Sequence, residues 1–387
     1  MKIDSLYLHQ FRNWKSLAIT LSPELNLILG KNGLGKTNIL ESIYFTSRGE
    51  TFRFAKKTDL IQSAQVESLI RVQVSRESNG LKHSIKSIIR PSKTELYLQD
   101  KRSSFSKVKE LLPTVLFSPE SLSAIKDGHD TRRQLVDDLL TSSLVNGASL
   151  IAAYKKVLRT RNKILKDFRD QIYDLKQTLQ LLESLEPSFL SAASALTIGR
   201  VNAFKTLQPI INNTVKEIFR ENVDIAVEYV ISDDDASKWT ESEVHDSMHK
   251  RVQELRTAEL GTGNSLVGPH KHDIRFVFNG LDSRIYCSQG QQRGLILSFK
   301  MAQIVYHRLL HGVKPVLLLD DVMSELDSTK QEALVRFLRS MNSQIILTST
   351  EINLNHAFLE QLGSHPAVFR VDQLKKDQVQ LNERPSI

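Results

Sequence analysis

A short apolar strand that runs through a glycine-rich loop into a helix constrains this fold more than any other segment. Residues 25–45 read LNLILGKNGLGKTNILESIYF, and GKNGLGKT fits the pattern G-x-x-x-x-G-K-[ST]. Glycines in such a loop let successive backbone N–H groups converge on phosphate oxygens, and the N-terminus of the following helix adds partial positive charge. The strand before the loop and the helix after it supply the context that the motif requires. The segment therefore predicts a phosphate-binding loop in an α/β domain.

Each residue of this loop is a candidate for nucleotide binding. We expect Lys36 to reach the β and γ phosphates of ATP and the hydroxyl of Thr37 to ligate Mg²⁺. The predicted nucleotide-binding residues of the loop are Gly30, Lys31, Asn32, Gly33, Leu34, Gly35, Lys36 and Thr37.

A second segment predicts the metal side of the same site. Residues 316–327 read VLLLDDVMSELD, so a buried strand ends in two adjacent carboxylates. Such carboxylates repel each other and lose solvation, a cost that a divalent cation offsets. We expect Asp320 to face Mg²⁺ and Asp321 to orient or deprotonate the attacking water, which makes both catalytic candidates.

Composition limits the class of protein. The chain has 387 residues, a formal net charge of +8 and one cysteine, Cys287, which excludes a disulfide-stabilised miniprotein and a zinc–thiolate site of the usual spacing. No apolar run approaches the roughly 20 residues of a membrane span, and residues 1–14 lack the apolar stretch of a signal peptide, so we expect a cytoplasmic protein. The positive charge permits a polyanionic partner but does not require one.

The pattern along the chain predicts an α/β domain interrupted by a helical one. Strand-like runs dominate the first hundred residues, and helical spacing follows Pro119. A seam of apolar residues from Tyr154 to Leu182 predicts one long amphipathic helix, and Pro187 is expected to open a returning helix. The pattern fits a packed helical subdomain and a protruding hairpin equally well. After it, the strand-like segments 274–278, 316–319 and 345–347 alternate with helices as in a parallel sheet. The expected domains are 1–120 with 264–387, and an inserted helical arm, 121–263.

A third motif narrows the class. Residues 287–293 read CSQGQQR and open a predicted helix, so Ser288, Gly290 and Gln291 form a second helix N-terminus suited to an anion. Here the sequence resembles the ABC-type ATPase heads of SMC-like proteins, in which an S-x-G-Q signature of one subunit contacts the γ-phosphate held by the other. The resemblance implies a mixed α/β head and a site shared between two copies.

Within that class the chain resembles the RecF family over nearly its full length. The similar segments are FRNW (residues 11–14), TFRF (51–54), LFSPESL (116–122), RRQLVDD (132–138), LRTRNKIL (158–165) and GPHKHD (268–273). The resemblance implies that Arg12 lies near the nucleotide. It also implies that the helical hairpin turns near residues 168–174, whereas the apolar seam continues to Leu182, so the sequence leaves the position of the turn open. The resemblance further implies an ATP-gated homodimer that acts as a slow, DNA-dependent ATPase in replication and repair. Such a dimer would bind single-stranded, gapped or junction DNA, assist recombinase loading with RecR and RecO, and support the SOS response.

Some residues depart from the pattern or leave alternatives open. Cys287 replaces the usual leucine before the signature, Asp321 is shorter than the glutamate of most ABC heads, and Glu120 stands where a glutamine would be expected. His270 and His272 fit a structural turn better than a metal site. Seven basic residues fit a phosphate track and a solvated helix face equally well: Arg132, Arg133, Lys155, Lys156, Arg159, Arg161 and Lys163.

Two other functions share the phosphate chemistry. An ABC ATPase subunit coupled to a membrane transporter is the main alternative, although its insertion would normally be shorter and lack the apolar seam. A metabolic P-loop kinase would not need the signature.

Overall fold

The computed structural model describes residues 1–53, 55–76, 80–144, 146–219, 223–350 and 366–375. Phe54, which belongs to the TFRF segment, lies outside these ranges. The chain forms two compact units. The split unit comprises Met1–Leu122 and His307–Ile387, and the helical unit is Ser123–Tyr306. The domain boundaries expected from the sequence, 120/121 and 263/264, stay a prediction.

The split unit contains an antiparallel sheet in the order β2-β1-β4-β5-β6-β7. Along β4, buried residues alternate with exposed or half-buried ones, as expected when one sheet face covers a core. The strands are β1 (Lys2–Phe11), β2 (Trp14–Thr20), β4 (Ser68–Ser75), β5 (Lys82–Ile89), β6 (Thr94–Leu98) and β7 (Lys101–Arg102).

A parallel sheet carries the phosphate loop. Its order is β15-β3-β14-β13-β8, with every neighbouring pair parallel. The strands β3, β8, β13 and β14 are buried at every residue, as in sheets covered on both faces. Their bounds are β3 (Leu25–Leu29), β8 (Thr114–Phe117), β13 (Val316–Asp320), β14 (Ile345–Ser349) and β15 (Ala367–Arg370).

One apolar core joins this sheet, the antiparallel sheet and the helix after the phosphate loop. It includes Trp14, Phe45, Leu318 and Ile346, all fully buried. The helices of the unit are α1 (Lys36–Arg48), α2 (Phe105–Leu111), α3 (Pro119–Leu122) and α10 (Ser328–Met341), with 3-10 turns at Lys57–Leu60 and Val322–Glu325.

The helical unit combines long helices with a small antiparallel sheet in the order β10-β9-β11-β12. The helices are α4 (His129–Ser143), α5 (Gly147–Arg169), α6 (Leu175–Phe219), α7 (Glu241–Thr262), α8 (Ser283–Tyr286) and α9 (Gln289–His311), which extends past the unit boundary. The strands are β9 (Ile225–Ile231), β10 (Asp234–Asp235), β11 (Asp273–Phe278) and β12 (Leu281–Asp282). The expectation that the segment 274–278 belongs to a parallel sheet was wrong, because β11 pairs antiparallel with β9.

The apolar seam was wrong in predicting one helix through Leu182, whereas the turn near residues 168–174 that the family resemblance implied is present. Helix α5 ends at Arg169, Gln171 has a left-handed φ of 59°, and α6 begins at Leu175. Pro187 lies inside α6 and opens no helix. The apolar spacing continued across the turn because Leu182 of α6 packs against Ile164 and Leu165 of α5. A seam formed by two helices therefore resembled a seam on one.

Two of the seven basic residues proposed as a surface are buried in ion pairs. Arg132 donates to Asp273 at 2.8 Å and Arg161 donates to Glu259 at 2.8 Å. The exposed members lie on α5: Lys155, Lys156, Arg159 and Lys163. Across the described ranges, no helix combines the length and apolar character needed to cross a membrane.

Candidate functional site

The phosphate loop follows β3 at the carboxyl edge of the parallel sheet. Backbone conformation and packing explain why two of its positions are glycine. Gly33 and Gly35 adopt left-handed φ values of 79° and 106°, which residues with a Cβ rarely take. Gly35 caps the N-terminus of α1, and a Cβ there would lie 2.4 Å from Oδ1 of Asn13. A Cβ on Gly33 would meet no heavy atom within 4 Å. Backbone conformation alone therefore selects glycine at Gly33, whereas conformation and packing both select it at Gly35.

Lys36 holds its ammonium group inside the loop. The residue is 6% exposed, and Nζ donates to the carbonyl oxygens of Gly30 at 2.7 Å and Lys31 at 3.2 Å, and to Oδ1 of Asn32 at 3.4 Å. Burial lowers the pKa of Lys36, and the nearby carboxylates of Asp321 and Asp320 oppose that shift. Loop oxygens therefore hold the ammonium group in place, and a bound phosphate would replace one or more of them as its acceptor.

Thr37 and Asp320 connect the loop to the acidic strand end. Thr37 Oγ1 donates to Asp320 Oδ1 at 2.9 Å, and Thr348 Oγ1 donates to the same oxygen at 2.7 Å. Burial raises the pKa of Asp320, while the two hydroxyl hydrogen bonds lower it. These hydroxyl and carboxylate oxygens match the donor set that Mg²⁺ prefers.

The sequence analysis missed Thr348. It is a residue of β14, beside β13, and the parallel register pairs it with Asp320. The signal that could have found it is its position near the end of a strand in the alternating tail, because carboxyl ends of parallel strands meet at one edge.

Asp321 has an unsatisfied carboxylate oxygen. Its φ of 46° is left-handed, and its backbone N–H donates to the Thr348 carbonyl oxygen at 3.2 Å and to the hydroxyl at 3.1 Å. Within the described residues, its buried Oδ1 accepts no hydrogen bond. Burial raises the pKa of Asp321, and Lys36 opposes the shift. Backbone strain and a missing hydrogen bond at one residue are features found where a ligand completes a site.

The FRNW segment clamps the loop through residues that the sequence analysis did not single out. Asn13 Nδ2 donates to the Leu34 carbonyl oxygen at 2.9 Å, and Trp14 Nε1 donates to the Gly35 carbonyl oxygen at 3.1 Å. Asn13 lies in the turn between β1 and β2 and Trp14 is the first residue of β2, so the antiparallel sheet sets the position of the loop.

Arg12 itself pairs with α1. Its Nε donates to Glu41 Oε2 and its terminal nitrogen to Glu41 Oε1, both at 2.8 Å, and the Glu41 side chain has no exposed surface. Thr51 Oγ1 also donates to Glu41. The expected contact of Arg12 with a nucleotide stays a prediction.

The signature residues begin α9, in the helical unit. The backbone N–H of Ser288 donates to Gln291 Oε1 at 2.9 Å, and the N–H of Gln291 donates to Ser288 Oγ at 3.2 Å, a reciprocal capping box. Ser288 accepts through its oxygen and keeps a hydroxyl hydrogen to donate. Gly290 lies in the first turn of the helix. The loop therefore presents an exposed serine on an ordered helix N-terminus.

The histidine segment and Glu120 have contacts of their own. Tyr154 Oη and His270 Nδ1 lie 2.6 Å apart, and Tyr229 Oη and His272 Nδ1 lie 3.1 Å apart. Burial lowers the pKa of His270 to about 4.

Glu120 of α3 adds a like charge that raises the pKa of Asp320. In the part of the chain that is described, no group of three or more His, Cys, Asp or Glu residues is arranged to hold a metal ion.

Comparison with known proteins gives the family. A family model described as the RecF/RecN/SMC N terminal domain matches residues 2–373. The DNA replication and repair protein RecF of Heliobacterium modesticaldum is 32% identical over 386 residues, which span 96% of this chain and 97% of that protein. RecF of Lachnospira eligens is 33% identical over 359 residues, spanning 92% and 95%.

Solved structures agree with the sequence relatives. A structure of the recombination mediator protein RecF-ATPrS in the RecFOR pathway covers 90% of this chain and 92% of its own, with a TM-score of 0.79 at 28% identity. The Smc head domain of Pyrococcus furiosus covers 99% and 100%, with a TM-score of 0.52 at 14% identity, and shares the fold. The predicted fold class, an ABC-type ATPase head with an inserted helical domain, is confirmed. The chain therefore belongs to the RecF family of DNA replication and repair proteins.

Proposed function

We propose that this protein is an ATP-gated DNA-binding switch of replication and recombinational repair. The observation that carries the proposal is the hydrogen bond from Thr37 to Asp320, which joins the phosphate loop to the acidic end of β13. Two RecF relatives of known structure are described as RecF-ATPrS and RecF-ATP. ATP and Mg²⁺ are the ligands that fit this loop and these oxygens.

Each residue of the site has a proposed role. The N–H groups of residues 30–37 and the ammonium of Lys36 bind the phosphates, and Thr37 and Asp320 hold Mg²⁺, which supplies charge neutralisation when bound. Asp321 orients the attacking water through the oxygen that lacks a partner. Because an aspartate is one methylene shorter than the usual glutamate, hydrolysis is slow and acts as a timer.

A second copy of the chain completes the site. Ser288, Gly290 and Gln291 of one copy contact the γ-phosphate bound by the other, so ATP favours the dimer through that differential contact. Ile285 and Tyr286, next to Ser288, are 73% and 64% exposed. Large exposed apolar side chains beside a helix N-terminus that is suited to binding an anion support the proposal that this surface contacts another protein.

The basic face of α5 is the proposed DNA-binding surface. Exposed cations follow one another at helical steps of three and four residues at Lys156, Arg159, Lys163 and Lys166. Residues 147–166 contain no acidic residue. The row extends about 15 Å, which is roughly four base-pair steps of DNA. Its sequence-independent charge suits backbone recognition of single-stranded or gapped DNA.

The remaining expectations follow from the family. We propose that RecR and RecO are partners in recombinase loading, that the protein contributes to SOS induction in the cytoplasm, and that residues 1–120 with 264–387 act as the head while 121–263 act as the arm. Two RecF structures come from the RecFOR pathway, which supports the partner proposal.

Light scattering with and without ATP and Mg²⁺ tests the switch. The wild-type chain should dimerise with ATP. Lys36→Ala should lose nucleotide binding, Ser288→Arg should bind ATP yet remain monomeric, and Asp321→Asn should accumulate as the ATP dimer. A Ser288→Arg protein that still dimerises with ATP would exclude the shared site.

Salt-dependent DNA binding tests the α5 face. Replacing Lys156, Arg159 and Lys163 by glutamine should reduce the log–log salt slope of DNA affinity by about 2 to 3, because each neutralised phosphate contact contributes about 0.7 on single strands and about 0.9 on duplex DNA. The matched control replaces three exposed lysines of α6 and α7, Lys205, Lys216 and Lys250, by glutamine. Equal losses in both triple variants would show that net charge, and not the α5 face, binds DNA.

A further inference from the structure

Asp273 is a buried aspartate whose carboxylate forms ion pairs with basic side chains from two separate segments of the helical unit. It begins β11 and is 8% exposed. From α4, Arg132 Nε donates to Oδ1 at 2.8 Å, a second guanidinium nitrogen donates to Oδ2 at 3.0 Å, and His129 Nδ1 lies 2.8 Å from Oδ2. From α8, an Arg284 guanidinium nitrogen donates to Oδ2 at 3.0 Å. One carboxylate therefore connects α4, β11 and α8.

Arg284 is itself held on its other side. Asp282 caps the N-terminus of α8 by accepting from the Arg284 backbone N–H at 2.9 Å. The Arg284 guanidinium also donates to both carboxylate oxygens of Asp282, from Nε to Oδ1 at 3.1 Å and from a terminal nitrogen to Oδ2 at 2.6 Å. Bidentate charge-assisted hydrogen bonds of this kind fix the orientation of a guanidinium more firmly than a point contact does. Arg284 therefore joins two carboxylates in a fixed geometry.

Polar ties hold α8 more than apolar packing does. The helix has four residues, and two of them, Ile285 and Tyr286, are largely exposed. Apart from the contact of Arg284 with Asp273, α8 is fastened by buried Gln292 of α9, whose Nε2 donates to the Ser283 carbonyl oxygen at 2.9 Å. A short helix with few buried apolar groups depends on such hydrogen bonds for its position.

The position of α8 determines the position of the signature serine. Cys287 is the single residue between the end of α8 and Ser288. Gln292 also donates to the Cys287 carbonyl oxygen at 3.3 Å. A shift of α8 therefore moves the chain that leads directly into the capping box of α9. A displacement of about 1 Å at a site that contacts a reacting phosphate is enough to reduce the rate about 100-fold.

We propose that Asp273 and Arg284 are positioning residues that hold α8, and through it Ser288, in the geometry needed to contact the ATP of a second copy. This inference rests on the proposed function, and it assigns to these two residues a role in dimerisation and turnover without a role in nucleotide binding. Because Arg132 ties Asp273 to α4, a movement of α4 within the helical unit changes the position of the signature.

The test compares Arg284→Gln with two matched variants. Arg284→Lys keeps the positive charge but loses the planar guanidinium that donates to both carboxylates. Arg251→Gln removes an exposed arginine of α7 that pairs with Glu254 at 2.8 Å. Arg284→Gln should keep the wild-type ATP affinity and lower the unfolding midpoint only slightly, because Arg132 still pairs with Asp273. ATP-dependent dimer affinity and kcat should fall about tenfold, the effect of losing one charged hydrogen bond. Arg284→Lys should recover part of the loss, and Arg251→Gln should match the wild type.

Asp273→Asn provides a second route to the same conclusion. In a double-mutant cycle, Asp273→Asn should weaken dimerisation in the wild-type background, and its effect on dimerisation should add little to that of Arg284→Gln, because both changes remove the contact between Arg284 and Asp273. Asp273→Asn should also lower the unfolding midpoint, because it leaves buried Arg132 without its carboxylate. Dimerisation and kcat at wild-type values in Arg284→Gln would overturn the positioning role. A loss of ATP affinity in Arg284→Gln, together with a fall in its unfolding midpoint as large as that of Asp273→Asn, would also overturn it, because that result indicates a general structural role. A wild-type chain that neither dimerises with ATP nor hydrolyses it would instead overturn the proposed function.

Discussion

Replacing Gly35 by alanine should destabilise the split unit far more than the same change at Gly33. Both glycines have left-handed φ values, so alanine costs about 1 to 2 kcal/mol of backbone strain at either position. At Gly35 the new methyl group would also lie 2.4 Å from Oδ1 and 2.9 Å from Cγ of Asn13. Asn13 must then move away and lose its hydrogen bonds with Leu34 and Asn38.

Those two hydrogen bonds contribute about 1 kcal/mol each. We therefore expect Gly35→Ala to lower the free energy of unfolding by about 3 to 4 kcal/mol and Gly33→Ala by about 1 to 2 kcal/mol. Urea unfolding without nucleotide measures both values. In a Trp239→Phe background, Trp14 is the single tryptophan, and its indole N–H donates to the Gly35 carbonyl oxygen, so its fluorescence reports on the clamp directly.

A double-mutant cycle isolates the contact. Asn13→Gly removes the side chain that the methyl group would meet, so in that background Gly35→Ala should cost the backbone strain alone. Equal destabilisation by Gly35→Ala and Gly33→Ala in the wild-type background would refute the reasoning. An unchanged cost of Gly35→Ala in the Asn13→Gly background would also refute it, because both outcomes mean that Asn13 does not pack against the loop.

Three other predictions concern buried polar groups. Burial lowers the pKa of His270 from 6.5 to about 4, so its contribution to the free energy of unfolding is constant above pH 6.5 and falls by up to roughly 3 kcal/mol between pH 6.5 and 4. Urea unfolding across this pH range should show a smaller fall in stability for His270→Gln than for the wild type. Equal falls in the two proteins would contradict the lowered pKa. Glu259→Gln leaves Arg161 buried without its carboxylate and should lower the free energy of unfolding, measured with urea, by about 3 to 5 kcal/mol. Glu254→Gln breaks an exposed ion pair and should lower it by at most about 1 kcal/mol. Thr348→Val removes the hydroxyl that donates to Asp320 and should weaken Mg²⁺-dependent ATP binding about tenfold in a fluorescent-nucleotide titration. Thr348→Ser keeps the hydroxyl and should bind ATP as the wild type does.

The phosphate loop could be predicted from sequence because its chemistry is local. Eight consecutive residues carry the glycines, the lysine and the hydroxyl, and the flanking strand and helix are visible in the apolar pattern. The two adjacent acids at the end of β13 could be predicted for the same reason. Their hydrogen bonds could not, because the pairing of Asp320 with Thr348 depends on which strand lies beside β13 and in what register.

The contacts of Asn13 and the turn of the helical unit depended on tertiary structure. Asn13 precedes Gly35 by 22 positions, and nothing in either segment specifies that the β1–β2 turn reaches the loop. Apolar spacing alone missed the boundary between α5 and α6, because such spacing reports a buried face and not the helix to which that face belongs. Arg132 and Arg161 were expected on a surface because composition counts their charge and not their partners, Asp273 and Glu259.

The strand order of the parallel sheet has a consequence for biosynthesis. β3 and β8 leave the ribosome early, yet the strands that pair with them, β13, β14 and β15, all follow the helical unit. At about 5 to 20 residues per second, the partner of β8 emerges roughly 10 to 40 s after β8 itself. During that interval two strands that are buried at every residue in the folded unit have open edges in the nascent chain, while the contiguous helical unit is able to fold. We expect chaperones to protect β3 and β8 until translation reaches β14.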